Sequence, residues 1–520
     1  MMASLAKPSI GEALRATGAA VLTDGDSLDF YAHDIFSRGA DLAAVVQPAS
    51  KEELAAAIAV ATGAGHAVVP RGGGMSYTGG YTQTRADAVL IDTRRLDRIL
   101  EVNEEDMYVR VEAGCTWAAL HEALAPLGLR TPMWGTLSGL KAVVGGGMSQ
   151  NAIFWGTCRY GTAVQSCLAL EVALADGTLM KVGKDFARPY GPDLVGLFLA
   201  DTGALGIKTE ITLRLVPEAA ANGYASFAFD TARQLLSAAS AIERADLATE
   251  CFGFDPHLNA IRMKRESLAS DAKQLVGMMR KQASVFKGLK EGARVALAGR
   301  NFLKDAKFSL HVLAEGRSEE SVSGDLAAVR DIVREAGGRE VENSIPKIIR
   351  ANPFGPLNSI LGPDGERWGP IHGLLPHSKA AGFCEALDAL FSSHATAMNE
   401  HGVHYGILYA AVGGAGIIVE PCLYWPDAAN PLIEDTMEVA HRARVPKVEA
   451  NAGSWALVQN LKGQIVDLFF EHGASHFQIG RTYRYRDSLD PRADTLLQSV
   501  KAELDPQGLM NPGSLGLGPQ

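Results

Sequence analysis

The run Val68-Val69-Pro70-Arg71-Gly72-Gly73-Gly74-Met75-Ser76-Tyr77-Thr78-Gly79-Gly80 constrains this chain more than any other segment. An apolar strand enters a proline and then a stretch with almost no side chain. Glycine reaches positive φ and lets amides crowd a ligand without a Cβ clash. Successive amides in such a turn form a concavity suited to an anion such as a diphosphate. Alone, the turn reads equally well as a tight structural corner. Two further clusters argue for a ligand. Thr136-Leu137-Ser138-Gly139 and Val144-Gly145-Gly146-Gly147-Met148-Ser149-Gln150 lead into Phe154-Trp155-Gly156-Thr157-Cys158-Arg159-Tyr160-Gly161, and Asp201-Thr202-Gly203-Ala204-Leu205-Gly206-Ile207 follows. None carries the lysine of a nucleotide-hydrolysing phosphate loop, and a strict G-x-G-x-x-G opening with its acidic ribose partner is missing. Three separated clusters suit a long cofactor gripped along its length.

With 520 residues the chain exceeds the size at which single cores stop growing, so at least two domains are expected. A content of 47% hydrophobic and 21% charged residues is that of an ordinary soluble protein. No apolar run reaches the roughly 18 residues of a membrane span. The start, MMASLAKPSIGEALRATG, lacks the apolar core of a secretory signal, so a cytoplasmic location is expected. Cys115, Cys158, Cys167, Cys251, Cys384 and Cys422 form no CxxC pair, which disfavours a disulfide framework or a thiolate metal site. A net charge of -10 argues against general nucleic-acid binding.

Residues 41–217 alternate short β-runs with helical ones. Strands are expected at 42–48, 67–70, 88–92, 108–112, 166–175 and 206–216, with helices at 51–62, capped by Ser50, and at 116–127. After Pro217 the glycine turns thin out and longer helical stretches appear, with strands such as 308–313. A basic segment, roughly 261–307, reads as a solvated helical face or as a surface for anionic lipid or an acidic partner. The class is α+β.

These residues carry a family resemblance. The first 218 residues resemble the FAD-binding domain of the vanillyl-alcohol oxidase and p-cresol methylhydroxylase flavoprotein superfamily. The tail Leu504-Asp505-Pro506-Gln507-Gly508-Leu509-Met510-Asn511-Pro512-Gly513 is similar to that family's C-terminal signature. The resemblance implies a two-subdomain FAD-binding domain over 1–218, an α+β substrate cap over 219–465, and a segment 466–520 that returns to the flavin. It implies that Pro70, Arg71, Gly72, Gly73, Gly74, Met75, Ser76 and Gly79 cradle the diphosphate. Thr136, Gly139, Gly145, Gly146, Ser149, Asn151, Arg159 and Gly161 would line the flavin, with Gly206, Ile207 and Asn511 closing over it. Relatives that tether flavin at the first loop carry His where this chain has Met75. Cys115 and Cys158 read as small buried residues, so non-covalent FAD is expected.

An oxidase or dehydrogenase of this kind holds a substrate C–H over flavin N5 and needs groups that handle the substrate's proton. In the run 476–487, Arg484 or Arg481 could clamp a carboxylate or phenolate, and Tyr483 or Tyr485 could share the phenolic proton. Tyr483-Arg484 is similar to the Tyr-Arg pair of p-hydroxyphenyl-oxidising relatives, although the same alternation also fits an exposed amphipathic strand. His372, His377, His404, Tyr405, Tyr409, Glu420 and Tyr424 are further candidates, with His404 and Glu420 expected on paired hairpin strands facing one cavity. The metal motif of the D-2-hydroxyacid dehydrogenase branch is missing: the middle reads His401-Gly402-Val403-His404-Tyr405-Gly406. No metal is therefore expected, and a 4-substituted phenol or aryl alcohol is preferred as hydride donor. A D-2-hydroxyacid dehydrogenase is the alternative, and a flavin electron-transfer subunit docking a cytochrome-like partner is the alternative of another class. A small-molecule substrate is implied; an electron-acceptor protein and a homodimer are the partners left open.

Overall fold

The alternation after residue 41 folds as parallel strands joined by a helical crossover. In the computed structural model, which describes residues 8–264 and 307–518, the first sheet comprises β1 (Ala20–Leu22), β2 (Leu42–Gln47), β3 (Val68–Arg71) and β4 (Ala88–Asp92). Its order is β1-β2-β4-β3, with β2, β4 and β3 parallel and β1 antiparallel at the edge. The helix Lys51–Gly63 makes the crossover. Ser50 Oγ accepts the Glu53 N–H at 3.2 Å, filling one of the helix's orphan donors. Its Leu54, Ala57, Ile58 and Ala61 pack on Val46, Val68 and Ile91, and the alanines let helix and sheet approach closely.

The second sheet uses β5 (Ile99–Asn103), β6 (Tyr108–Glu112), β8 (Cys167–Ala173), β9 (Leu179–Gly183) and β10 (Ile207–Arg214), paired antiparallel in the order β5-β6-β10-β8-β9. A short ribbon of β7 (Leu129–Arg130) and β11 (Val216–Pro217) closes it. The expected helix at 116–127 is an α-helix only over Trp117–Leu124; Pro126 turns the rest into a 3₁₀ turn.

From residue 221 the chain builds one antiparallel sheet. It contains β12 (Ala221–Phe229), β13 (Glu250–Phe254), β14 (Phe308–Gly316), β15 (Arg339–Val341), β16 (Arg367–Pro370), β17 (Gly373–Leu375), β18 (His404–Val412) and β19 (Gly416–Trp425). Their order is β15-β12-β14-β13-β18-β19-β16, with β17 also on β19. The helices Ala232–Arg244, Glu319–Glu335, Ala380–Glu400 and Ala452–Glu471 pack around it and fill the largest core cluster. Nearly all of the basic segment lies outside the described residues. Among the described residues no helix is long and apolar enough to cross a membrane.

Two seams fix this sheet and the chain's end against the first two sheets. Glu315 on β14 forms a buried ion pair across the seam with Arg130, and Arg350, from the helix Ser344–Ala351 on its own side, joins it at 2.8 Å. Glu250 on β13 accepts the Gly156 N–H at 2.9 Å. At the C-terminus, Val68 donates to the Leu509 carbonyl and accepts from the Asn511 N–H, both at 2.8 Å. The tail thus completes the open edge of β3, beside the first glycine loop.

Candidate functional site

The three glycine clusters meet along one open cleft of about 870 Å³. β3 delivers Pro70 and Arg71 to its floor, and the loop through Ser76 continues along it. A Cβ on Gly73 would overlap the Lys141 carbonyl oxygen, so only glycine lets the first two clusters meet there. Gly74, at φ +75°, turns the loop back over the Arg71 guanidinium. The helix Val144–Gln150 brings Gly145, Gly146, Ser149 and Gln150 to the opposite wall, and Thr202, Gly203, Ile207 and Lys208 close one end. Lys208 is buried in an ion pair with Asp201, whose carboxylate also accepts the Gly203 N–H at 2.9 Å.

Several wall atoms lack partners. Arg71 Nε and Nη1, Trp117 Nε1, Gln150 Oε1 and Thr202 Oγ1 are buried without a hydrogen bond. A buried polar atom left so costs about 1–3 kcal/mol, and four residues of one cleft sharing this condition mark it as a site for a polar ligand. Arg71 is held by its place above the Tyr31 ring, 4.7 Å away. Its fixed charge suits a diphosphate.

Of the residues expected at the cofactor, Pro70, Arg71, Gly72, Gly73, Gly74, Met75, Ser76, Thr136, Gly145, Gly146, Ser149 and Ile207 line the cleft. The other seven stand behind it or away from it. Gly79 donates its N–H to Asp34 Oδ2 at 2.9 Å, anchoring the loop from outside. Gly139 leaves room for the Phe354 ring, Gly206 packs near Ala173, and Gly161 ends a helical turn at φ +76°. Asn151, at φ +53°, terminates the helix Val144–Gln150. Arg159 turns toward the third sheet, donating to Asp246 Oδ1 and to the Glu315 carbonyl, both at 3.0 Å. Asn511 supports the loops through its side chain instead of touching the cleft: Nδ2 donates to the Gly80 carbonyl at 2.8 Å and to that of Thr202 at 2.6 Å. Trp117 and Gln478 line the cleft without having been expected there, and Lys208, on the strand expected to close over the cofactor, lines it too. Lys208 had a signal in its glycine-run neighbours; Trp117 had none. Cys115 and Cys158 are buried, and burial pushes the Cys115 thiol up to about 12.

Beyond Gln478 lies an aromatic recess. The Tyr77 ring stands edge-on to Trp368 at 5.7 Å and to His372 at 5.8 Å. Phe477 stacks on His372 at 3.8 Å. Tyr483 is buried, its Oη accepting the His372 backbone N–H at 2.8 Å. His476 stacks on Tyr483 at 3.8 Å and donates from Nδ1 to the His372 carbonyl at 2.8 Å. Glu420, on β19, lies within electrostatic reach of both Tyr77 and Tyr483. Glu420 and Tyr77 are ringed by protein yet keep part of their surface accessible.

Burial sets the electrostatics. It pushes the Glu420 carboxyl up to about 7 and holds the Tyr77 and Tyr483 phenols well above their usual range. It drives His372 well below the usual imidazole range and His476 to about 4, so both rings are neutral at pH 7. Both ring nitrogens of His372 are buried without a partner.

Three of the expected catalytic residues, Tyr483, His372 and Glu420, come together here. Arg484 does not: it points into solvent, ion-paired with Asp467 at 3.0 Å and Asp487 at 2.8 Å. Arg481 is half-buried: its two Nη groups bond the carbonyls of Gly79 and Pro512 and Asn511 Oδ1, while Nε is left without a partner. His404 and Glu420 do lie on the paired strands β18 and β19. His404 sits opposite Tyr424, however, and Glu420 opposite Leu408. Four residues of strand separate them, about 13 Å, and His404 stacks on Tyr424 with Nε2 3.7 Å from Glu366 Oε1. The run 476–487 is a chain of turns, with Gln478 at φ +49°, and not an amphipathic strand. Among the described residues no group of three or more His, Cys, Asp or Glu side chains could hold a metal ion.

Known proteins share both the sequence pattern and the fold. Residues 42–183 match the family model described as the FAD binding domain, and residues 218–515 match that of the FAD linked oxidases, C-terminal domain. The chain is 26% identical over 481 residues to the glycolate oxidase subunit GlcD of Escherichia coli (strain K12), covering 90% of this chain and 82% of that protein. It is 28% identical over 230 residues to D-lactate dehydrogenase [cytochrome] 1, mitochondrial, of Saccharomyces cerevisiae, covering 43% and 37% of the two chains. The solved structure of p-cresol methylhydroxylase with substrate bound superposes with a TM-score of 0.71 at 16% identity, covering 98% of this chain and 96% of that one. The glycine cradle and the orphaned polar atoms of the cleft fit FAD. The chain shares the p-cresol methylhydroxylase fold, belongs to the FAD linked oxidases, and is an FAD-dependent oxidoreductase.

Proposed function

We propose that this oxidoreductase takes its hydride from an uncharged hydroxylated small molecule, a 4-substituted phenol or an aryl alcohol, bound in the recess of Tyr77, Trp368, His372, Glu420 and Tyr483. Arg71, Gly73, Gly145, Gln150 and Thr202 hold the FAD, which when bound supplies the two-electron acceptor. The observation that carries the reading is Glu420. It is an acidic group in an aromatic pocket, and among the described residues no cation offsets it: burial alone dominates its shift. A substrate carboxylate would face this carboxyl, while both Nη groups of Arg481 are held by the loops and Arg484 stands in solvent. A neutral hydroxyl instead finds an acceptor. Above its shifted value Glu420 is ionised and takes the hydroxyl proton on a carboxylate oxygen as the substrate gives up its hydride. Tyr483, fixed by the His372 N–H, has its own proton free to meet the developing oxyanion.

The likeness to the glycolate oxidase subunit and to D-lactate dehydrogenase favours a second reading, a D-2-hydroxyacid dehydrogenase. The deciding experiment is anaerobic reduction of the bound flavin by 4-alkylphenols and by glycolate and D-lactate, each with and without EDTA. Reduction by the phenols alone, unaffected by EDTA, supports the first reading. Reduction by the hydroxy acids alone overturns it.

A further inference from the structure

Gln478 is the residue shared by the two halves of the site. It lines the cofactor cleft, and its Nε2 donates to Tyr77 Oη at 3.1 Å in the recess. Its backbone is held in an unusual conformation to do so. At φ +49° it lies in the left-handed region that side chains disfavour. Two contacts keep it there: its N–H donates to the Gln150 carbonyl at 2.6 Å, and the preceding Phe477 ring is locked in its stack on His372. Gln150 is itself a wall of the cleft, so one peptide unit ties the cofactor wall to the recess.

We propose that Gln478 is a positioning residue that acts through Tyr77, turning the Tyr77 hydroxyl proton into the recess as a directed donor to the substrate oxygen. A phenol hydroxyl carries one proton and two lone pairs. With the Gln478 amide donating to the oxygen, the Tyr77 proton cannot point back at that amide and is left facing Glu420 and the substrate. Tyr77 stays protonated, because burial and then the nearby Glu420 disfavour its anion. It therefore donates to the substrate oxygen that loses its proton to Glu420, so the two groups divide the work: one removes the proton and the other steadies the charge left behind. This inference rests on the recess holding a hydroxylated substrate, and it goes beyond that reading by assigning the geometry of one donor to a residue on the cofactor side.

The test is a double-mutant cycle on the FAD-loaded protein, with Gln478→Leu, Gln478→Glu, Tyr77→Phe and the Tyr77→Phe/Gln478→Leu pair. One readout is equilibrium binding of phenol, which has no oxidisable side chain, followed by its perturbation of the flavin absorbance. The other is the anaerobic rate of flavin reduction by a 4-alkylphenol. Each single change is expected to weaken phenol binding and slow reduction about tenfold, the loss of one directed hydrogen bond. FAD affinity of Tyr77→Phe is expected to stay within about threefold, and the pair is expected to reduce and bind phenol no worse than Tyr77→Phe alone. Gln478→Glu matters because a carboxylate only accepts: it would draw the Tyr77 proton toward itself and lose as much as Gln478→Leu. Additive effects in the pair, full function in Gln478→Glu, or an equal loss of FAD in Tyr77→Phe would each overturn the proposal. If the wild type neither binds phenol nor is reduced by a 4-alkylphenol, the substrate reading fails. The same cycle read with D-lactate then decides the coupling of Gln478 to Tyr77 independently, by the same non-additivity.

Discussion

Arg481 Nη2 donates to Asn511 Oδ1 at 2.7 Å, and Asn511 Nδ2 in turn holds the carbonyls of Gly80 and Thr202. The Asn511 amide thus joins the C-terminal return to the first and third glycine clusters through two bonds, and Arg481 adds a further hold on the first through the Gly79 carbonyl at 2.6 Å. Asn511→Ala strips the donors from two buried carbonyls, which at about 1–3 kcal/mol for each is a large fraction of a domain's stability. The expected outcome is a lower unfolding temperature and faster FAD release, with the substrate KM of the FAD-saturated enzyme unchanged. Thermal unfolding and flavin fluorescence on dilution measure the first two. A raised KM with normal FAD retention would instead place Arg481 and Asn511 at the substrate.

Glu420 makes the reaction sensitive to pH near neutrality. Its carboxyl is pushed up to about 7 by burial, and only its ionised form accepts a proton, so flavin reduction by substrate should rise as pH increases through about 7. Glu420→Gln should abolish that limb and leave a slow, flat profile. Stability runs the other way. Between the ordinary value of 4.5 and about 7 the folded protein keeps a proton that the unfolded chain has lost, so stability falls as pH rises across this window. Glu420→Gln should therefore unfold at a temperature that declines less between pH 5 and 8 than that of the wild type. The decline will not vanish, because Glu250 is also pushed up to about 7, chiefly by burial. An unchanged pH profile would remove Glu420 from the chemistry.

The glycine-lined cleft was legible in the sequence because its pattern is written locally. A diphosphate needs backbone without side chains, and Gly72-Gly73-Gly74 and Gly145-Gly146-Gly147 are contiguous in the chain. The helix after Ser50 was legible for the same reason: its cap, its alanines and its apolar face are all short-range signals. Where the expectation ran too wide, as for Arg159, proximity in sequence had stood in for side-chain direction. Arg159 follows the helix that walls the cleft but turns outward to Asp246. The recess was harder to read because Tyr77, Trp368, His372, Glu420 and Gln478 come from segments far apart, and only tertiary packing assembles them. His404 and Glu420 were rightly placed on one hairpin. Their separation along it depended on the turn falling between Val412 and Gly416, a register that hydrophobic pattern alone does not fix.

Arg484 lies next to Tyr483 in sequence and faces the other way. Its guanidinium sits over the Phe470 ring at 4.1 Å and bonds Asp467 and Asp487 in solvent. Exposed pairs of this kind contribute little. Arg484→Ala should leave kcat/KM within about twofold and the unfolding temperature nearly unchanged, as expected for a substitution away from buried features. A tenfold or larger loss in steady-state kcat/KM would mean that the side chain swings inward on the substrate.

Tyr483→Phe separates the recess from the cofactor cleft. The hydroxyl it removes accepts the backbone N–H of His372 at 2.8 Å, in a shell where the Tyr483 ring stacks on His476 and lies 5.2 Å from His372. Phenylalanine keeps both ring contacts, so the shape of the recess survives while one buried N–H loses its acceptor, at about 1–3 kcal/mol of stability. Tyr483 does not line the FAD cleft, so FAD affinity should change little. Reduction of the flavin by substrate should fall by about tenfold or more, because a donor to the developing oxyanion is gone. Stopped-flow reduction alongside FAD titration of the apoprotein gives both numbers on the same variant. A parallel loss of FAD binding and reduction would show that Tyr483 only braces the fold around His372, and the phenol reading would then rest on Tyr77 and Glu420.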